Sequence, residues 1–117
     1  SKMEGGFSGT MTVKEIFAGI QQRLDERPDK IQGLNAVFQF ELSGEEAGTW
    51  HVVAADGKAT VVDGAHTGAG VTIIMDSQDF KDMIAGKLDS VQAFMSGKLK
   101  VKDNMSLAMK LGALMGS

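Results

Sequence analysis

Hydrophobic positions along the chain change period several times, and each change marks an element. In "TVKEIFAGIQQRL", Val13, Ile16, Phe17, Ile20 and Leu24 recur at helical spacing. Thr12 and Glu15 stand where a capping box would place them, and Pro28 follows the expected end. From Asn35 the period is two: Ala36, Phe38, Phe40 and Leu42 alternate with Val37, Gln39 and Glu41, as in a strand with one buried face. "TWHVVA" and "KATVVD" read as two more strands about Asp56-Gly57, a dipeptide that tolerates positive φ at both centres of a tight hairpin turn. Alternation turns Trp50 to the core and His51 outward.

After the loose "GAHTGAG", "VTIIM" reads as a fourth strand. Asp76 and Asp79 can cap a short helix on which Phe80, Met83 and Ile84 share a face. Asp89 and Gln92 are spaced as a second capping box for "SVQAFM", which ends at Ser96-Gly97. "KLKVK" is a fifth strand with Leu99 and Val101 on one face and Lys98, Lys100 and Lys102 on the other, the lysine row suiting an edge that discourages further pairing. Asp103 is the expected cap of a final helix striped by Leu107, Leu111 and Leu114. Met105 and Met109 widen its apolar arc beyond what contact with a sheet requires.

The 117 residues fit one domain: a flexible tail over 1–11 and a folded unit over 12–117. Apolar residues make up 43% and charged residues 23%, which places the chain among globular proteins. No run approaches the ~18 to 20 apolar residues of a membrane span, so a soluble, cytoplasmic protein is expected. A net charge of −3 and the lack of tyrosine argue against nucleic acid as a partner. With no cysteine and only His51 and His66, neither thiol chemistry nor a histidine-rich metal site is expected. "GAHTGAG" leads into a strand where a phosphate-binding loop would lead into a helix. Six of the eight methionines fall between Met75 and Met115, and methionine adapts to irregular apolar ligands as readily as to an irregular core.

"LNAVFQFEL", "GTWHV" and "VTIIMDSQDFKDMIAGKLDSVQAFMSGKLKVKDNMSLAMKL" resemble the sterol carrier protein 2 family of non-specific lipid-transfer proteins, over about Val13 to Met115. The resemblance implies an α+β fold: a five-stranded, mostly antiparallel sheet with helices on one face, enclosing an apolar tunnel for fatty acids, fatty acyl-CoA, sterols or phospholipids. It implies binding and transfer or presentation of lipid rather than catalysis; a monomer without cofactor is expected, and the charges of Lys98, Lys100 and Lys102 with Lys87 suit transient contact with anionic membranes or the phosphates of acyl-CoA. Carried over by position, Phe40 and Trp50 line the sheet side. Phe80, Met83, Ile84, Phe94 and Met95 line the middle helices, and Met105, Leu107, Met109 and Leu111 the final one. Asp103 stands where related chains often have glycine, Ser90 where they have proline, and Met109 where some have glutamine. The ending "ALMGS" lacks the peroxisomal signal of many eukaryotic relatives. From the residues alone two other classes stay open: a small enzyme or substrate-presenting domain for an apolar substrate, with His51 or an acid as base, and an interaction domain with a vestigial tunnel.

Overall fold

The computed structural model of the chain describes residues 7, 8 and 10–116. The Thr12 hydroxyl accepts from the Glu15 amide and the Glu15 carboxylate from the Thr12 amide, so the predicted capping box starts α1 (Val13–Asp25). Val13, Ile16, Phe17, Ile20 and Leu24 form its buried stripe, each worth roughly 1.5 to 3 kcal/mol of gross burial. Pro28 does not simply follow this helix: it opens α2 (Pro28–Ile31), a single turn that the sequence reading does not contain. At its first position the missing N–H of proline costs nothing, and Ile31 is buried.

β1 (Ala36–Ser43), β2 (Gly48–Ala55) and β3 (Lys58–Asp63) form an antiparallel meander. Asp56 and Gly57 turn its second hairpin with φ of 54° and 77°, as the dipeptide predicts. β4 (Val71–Asp76) then pairs in parallel with β1, Phe38 opposite Val71 and Phe40 opposite Ile73. α3 (Ser77–Ile84) and α4 (Ser90–Met95) follow, capped by Asp76 and Asp89. β5 (Leu99–Asp103) pairs antiparallel with β4, and α5 (Met105–Gly116) ends the described chain. The sheet order β3-β2-β1-β4-β5 puts β5 at an edge, as its lysines suggest. The fold is the expected α+β arrangement, a five-stranded sheet with three antiparallel pairs and one parallel pair.

One cap differs from expectation. Asp103 is the last residue of β5 with φ of 73°, and Asn104 supplies the cap through its side-chain oxygen, 3.3 Å from the Leu107 amide. A residue in the left-handed region cannot hold the extended backbone a helix cap requires, so the capping role moves one residue on. Leu114 of the predicted stripe falls within α5, its side chain outside what the structure describes, and most of the expected tail lies outside the described residues.

Alternation sorts the sheet into two faces. Phe38, Phe40, Val52, Ala54, Ile73 and Met75 form a buried set on the helix side. On the other face a row runs Val62, His51, Gln39, Thr72, Lys102 across all five strands. His51 points away from the helices as predicted, yet it is only 7% exposed, because the 64–70 loop folds over it. Its Nδ1 lies 2.7 Å from the Gly64 carbonyl, its ring meets His66 edge-on at 5.1 Å, and the His66 amide donates to Gln39 Oε1.

Glu46, in the β1–β2 turn, ties two helices to the sheet. Its carboxylate accepts from the Val13 amide at the start of α1 and pairs with Lys81 of α3. The Lys81 hydrogen bond, followed by that of Val13, holds its carboxyl below the ordinary value of 4.5. No helix among the described residues is long and apolar enough to cross a membrane.

Candidate functional site

The helix-side face of the sheet is broader than the helices packed on it. Where β1, β2, β4 and β5 pass beneath α3, α4 and α5, a cavity of about 870 Å³ remains. Phe40, Val52, Ile73, Leu99 and Val101 form its floor, one inward-facing position after another on four strands. Ile20 and Leu24 of α1 close one side; Phe80, Met83 and Ile84 of α3 and Leu88 of the following loop close another. Val91 and Phe94 of α4 and Met105, Ala108, Met109 and Leu111 of α5 complete the wall.

Phe40 and Phe80 are fixed by an aromatic cluster. Phe17 packs edge-on to Phe40 with centroids 5.4 Å apart and stacks on Phe80 at 5.3 Å, and its ring also stacks on Trp50 at 4.6 Å and 9°. Aromatic pairs in these geometries add roughly 0.5 to 1.5 kcal/mol beyond burial, so this end of the cavity is its rigid end. The opposite end is formed by α4 and the first turns of α5, where Phe94, Met105 and Met109 face the cavity while remaining substantially exposed.

Of the residues singled out in the sequence, Phe40, Phe80, Met83, Ile84, Phe94, Met105, Met109 and Leu111 line the cavity, and three do not. Trp50 is held behind Phe17 by the stacking contact. Met95, the last residue of α4, points to solvent and is 80% exposed. Leu107 leans on Gly70 in the loop that returns to β4, with its Cδ1 2.9 Å from where a Cβ of that glycine would stand. Ile20, Leu24, Leu99 and Val101 were legible as positions on one apolar face and Ile73 as part of a strand, but nothing in their spacing separates a cavity floor from a packed core.

Phe7 carried no signal at all. It lies in the stretch read as tail, yet its ring lines the cavity, rests against Gly19 and lies 5.2 Å beneath the Arg23 guanidinium. A Cβ at position 19 would stand 2.8 Å from Phe7 Cε1, so a larger residue there would push the ring from this position.

Among the described residues, the polar side chains in the lining are those of Arg23 in α1 and of Asp89 and Ser90 at the start of α4. Asp89 is committed to the Gln92 amide at 3.0 Å. Both histidines lie on the other side of the sheet, and the described residues contain no cluster of three or more histidines and acids fit to hold a metal. The arrangement is that of an apolar container with few polar groups in its wall.

Comparison with known proteins points the same way. Hydroxysteroid dehydrogenase-like protein 2 of Xenopus tropicalis is 41% identical over 105 residues, 89% of this chain and 25% of that protein. The human protein of the same name is 41% identical over 104 residues, 88% of this chain and 24% of that one. The chain thus spans about a quarter of the length of these curated relatives. Among solved structures, the sterol carrier protein domain 2 of Helicoverpa armigera superposes with a TM-score of 0.75 at 29% identity, covering 89% of this chain and 85% of that one. Palmitated SCP2L2 of Aedes aegypti superposes with a TM-score of 0.74 at 24% identity, covering 92% and 96%. The sequence profile of the SCP-2 sterol transfer family matches residues 17–116. With the match running from Phe17 at the rigid end of the cavity to the last turn of α5, the chain belongs to the SCP-2 sterol transfer family.

Proposed function

We propose that this chain is a lipid-carrier domain: it takes up the apolar part of a fatty acid, fatty acyl-CoA, sterol or phospholipid, and hands the molecule on unchanged. The observation that carries this reading is the cavity of about 870 Å³, lined among the described residues by apolar side chains apart from Arg23, Asp89 and Ser90. Its size falls within the roughly 300 to 1,000 Å³ of small-molecule sites. A sealed, empty void of that volume would cost about 20 kcal/mol at ~24 cal/mol per Å³. That exceeds the whole stability of about 5 to 15 kcal/mol expected of a domain, so the space is kept by what fills it, water or an apolar guest.

Each methylene transferred from water contributes up to ~0.8 kcal/mol, about 12 kcal/mol gross for a sixteen-carbon chain, whatever its headgroup. Broad lipid selectivity follows from that arithmetic. A catalytic reading would need a titratable group aimed at the guest; His51 lies across the sheet, and Asp89 is exposed and already bonded. A second reading, presentation of an apolar substrate to another part of a longer protein, is favoured by the fraction of its relatives' length that the chain covers.

Native mass spectrometry of freshly purified protein, followed by identification of released lipids, and titration with a fluorescent fatty acid test the proposal. One lipid per chain, and a probe displaced by fatty acids and sterols alike, are expected. Protein that arrives empty and binds neither probe nor sterol would refute the carrier reading.

A further inference from the structure

Among the described residues, the exposed large apolar side chains other than Val62 of β3 lie together. Val91, Met95 and Met109 are 63%, 80% and 72% exposed, Phe94 and Met105 are about half exposed, and all five belong to α4 and the first turns of α5. Four of them also line the end of the cavity opposite the aromatic cluster, so the apolar interior continues onto the surface. Isolated apolar side chains on a surface need no explanation, whereas a contiguous set around an opening marks a contact site.

Charge identifies the contact. Residues 87–110 hold five lysines, Lys87, Lys98, Lys100, Lys102 and Lys110, against Asp89 and Asp103, a net +3 in a chain whose net charge is −3. The remainder of the chain therefore carries −6. Among the described residues none of these lysines has an ion-pair partner. Lys87 and Lys98 flank α4 and Lys110 follows Met109, whereas Lys100 and Lys102 sit on the far face of the edge strand and add to the field more than to the contact. We infer that the α4–α5 lip is a docking surface for an anionic lipid bilayer, with Met95 entering the interface and Lys98 meeting headgroup phosphates or carboxylates. This rests on the carrier reading and deepens it by naming the surface through which cargo passes.

The pairing of apolar side chains with basic flanks fits a bilayer better than a second copy of the chain, because self-association through this lip would bring Lys87, Lys98 and Lys110 of two copies together. Each lysine near an anionic surface contributes about 1 kcal/mol, screened over ~10 Å at 0.1 M salt. A guest leaving the cavity over Phe94 and Met109 would move from one apolar medium to another with no aqueous step.

The test uses Met95→Ser and Lys98→Gln, alone and together, because both residues are exposed and neither lines the cavity. Wild type and variants are sedimented with vesicles of phosphatidylcholine, alone or mixed with phosphatidylserine, at low and high salt. Fluorescent fatty acid is titrated separately without vesicles. The double variant should lose about tenfold in affinity for the mixed vesicles, equivalent to about 1.4 kcal/mol, while binding the fatty acid like wild type. Wild type that ignores mixed vesicles, or a double variant that sediments with them equally, would overturn the docking surface. So would a wild-type dimer in velocity sedimentation that Met95→Ser abolishes. If mixed vesicles are bound and the fatty acid is not, the docking surface stands and the carrier reading fails.

Discussion

His51 lies beneath the 64–70 loop with its Nδ1 2.7 Å from the Gly64 carbonyl, on the side of the sheet away from the cavity. Period-two alternation gave its direction correctly and its environment wrongly, because alternation reports a face and not whether a loop covers it. His51→Ala should therefore cost about 1 to 2 kcal/mol through the lost hydrogen bond and contact, and leave fatty-acid affinity unchanged. Urea unfolding and the probe titration separate the two effects. Glu46 is the residue through which acidity should act. Its carboxyl titrates below its ordinary value in the folded chain, so its contribution is present above that value and is lost as pH falls through the folded value. Because the pair is partly exposed, Glu46→Gln should cost only about 1 kcal/mol at neutral pH. Denaturation curves of the two proteins should converge in acid, and a constant gap down to pH ~3 would remove Glu46 from the account.

At the scale of elements, α1, the meander, the capped α3 and α4 and the edge strand β5 were all readable, since each has its own period and its own start or stop residue. The misreadings share a cause. Pro28 looked like a terminator because nothing local says that the next turn will bury Ile31, and Asp103 looked like a cap because type and spacing do not reveal a φ of 73°. That φ is one that glycine adopts without strain. Replacing Asp103 with glycine should be neutral or stabilising by up to ~1 kcal/mol, whereas Asn104→Ala should cost about 1 kcal/mol. Thermal unfolding of the two variants distinguishes them, and the reverse order would return the cap to Asp103. Phe7 escaped notice for a related reason: a lone aromatic among glycines has no period, and its seat on Gly19 is a tertiary event.

For the molecule as a whole, the apolar lining was legible as composition and its hollowness was not, because packed and unpacked apolar faces are written with the same residues. Occupancy should show as stability. At a free ligand concentration a hundredfold above Kd, binding adds about 2.7 kcal/mol and raises Tm by ~10 °C, and the rise should be similar for fatty acids and sterols if the guest's apolar surface dominates. A shift confined to one ligand class would show a headgroup-selective site. The parallel pairing of β1 with β4 carries a further implication. The β1–β2–β3 meander closes through two short turns, whereas the β1–β4 pair closes around the meander itself, so the later strands and the helices that wall the cavity join an existing platform. The part that holds the guest is then a separate unit of opening, able to loosen as a group while the meander stays intact, and a bulky sterol could enter by that route without global unfolding. In hydrogen exchange, amides of β1 and β2 should outlast those of α4, β5 and α5 by a wide margin, with the gap narrowing when lipid is bound; uniform protection across all five strands would mean that the cavity opens only when the whole molecule does.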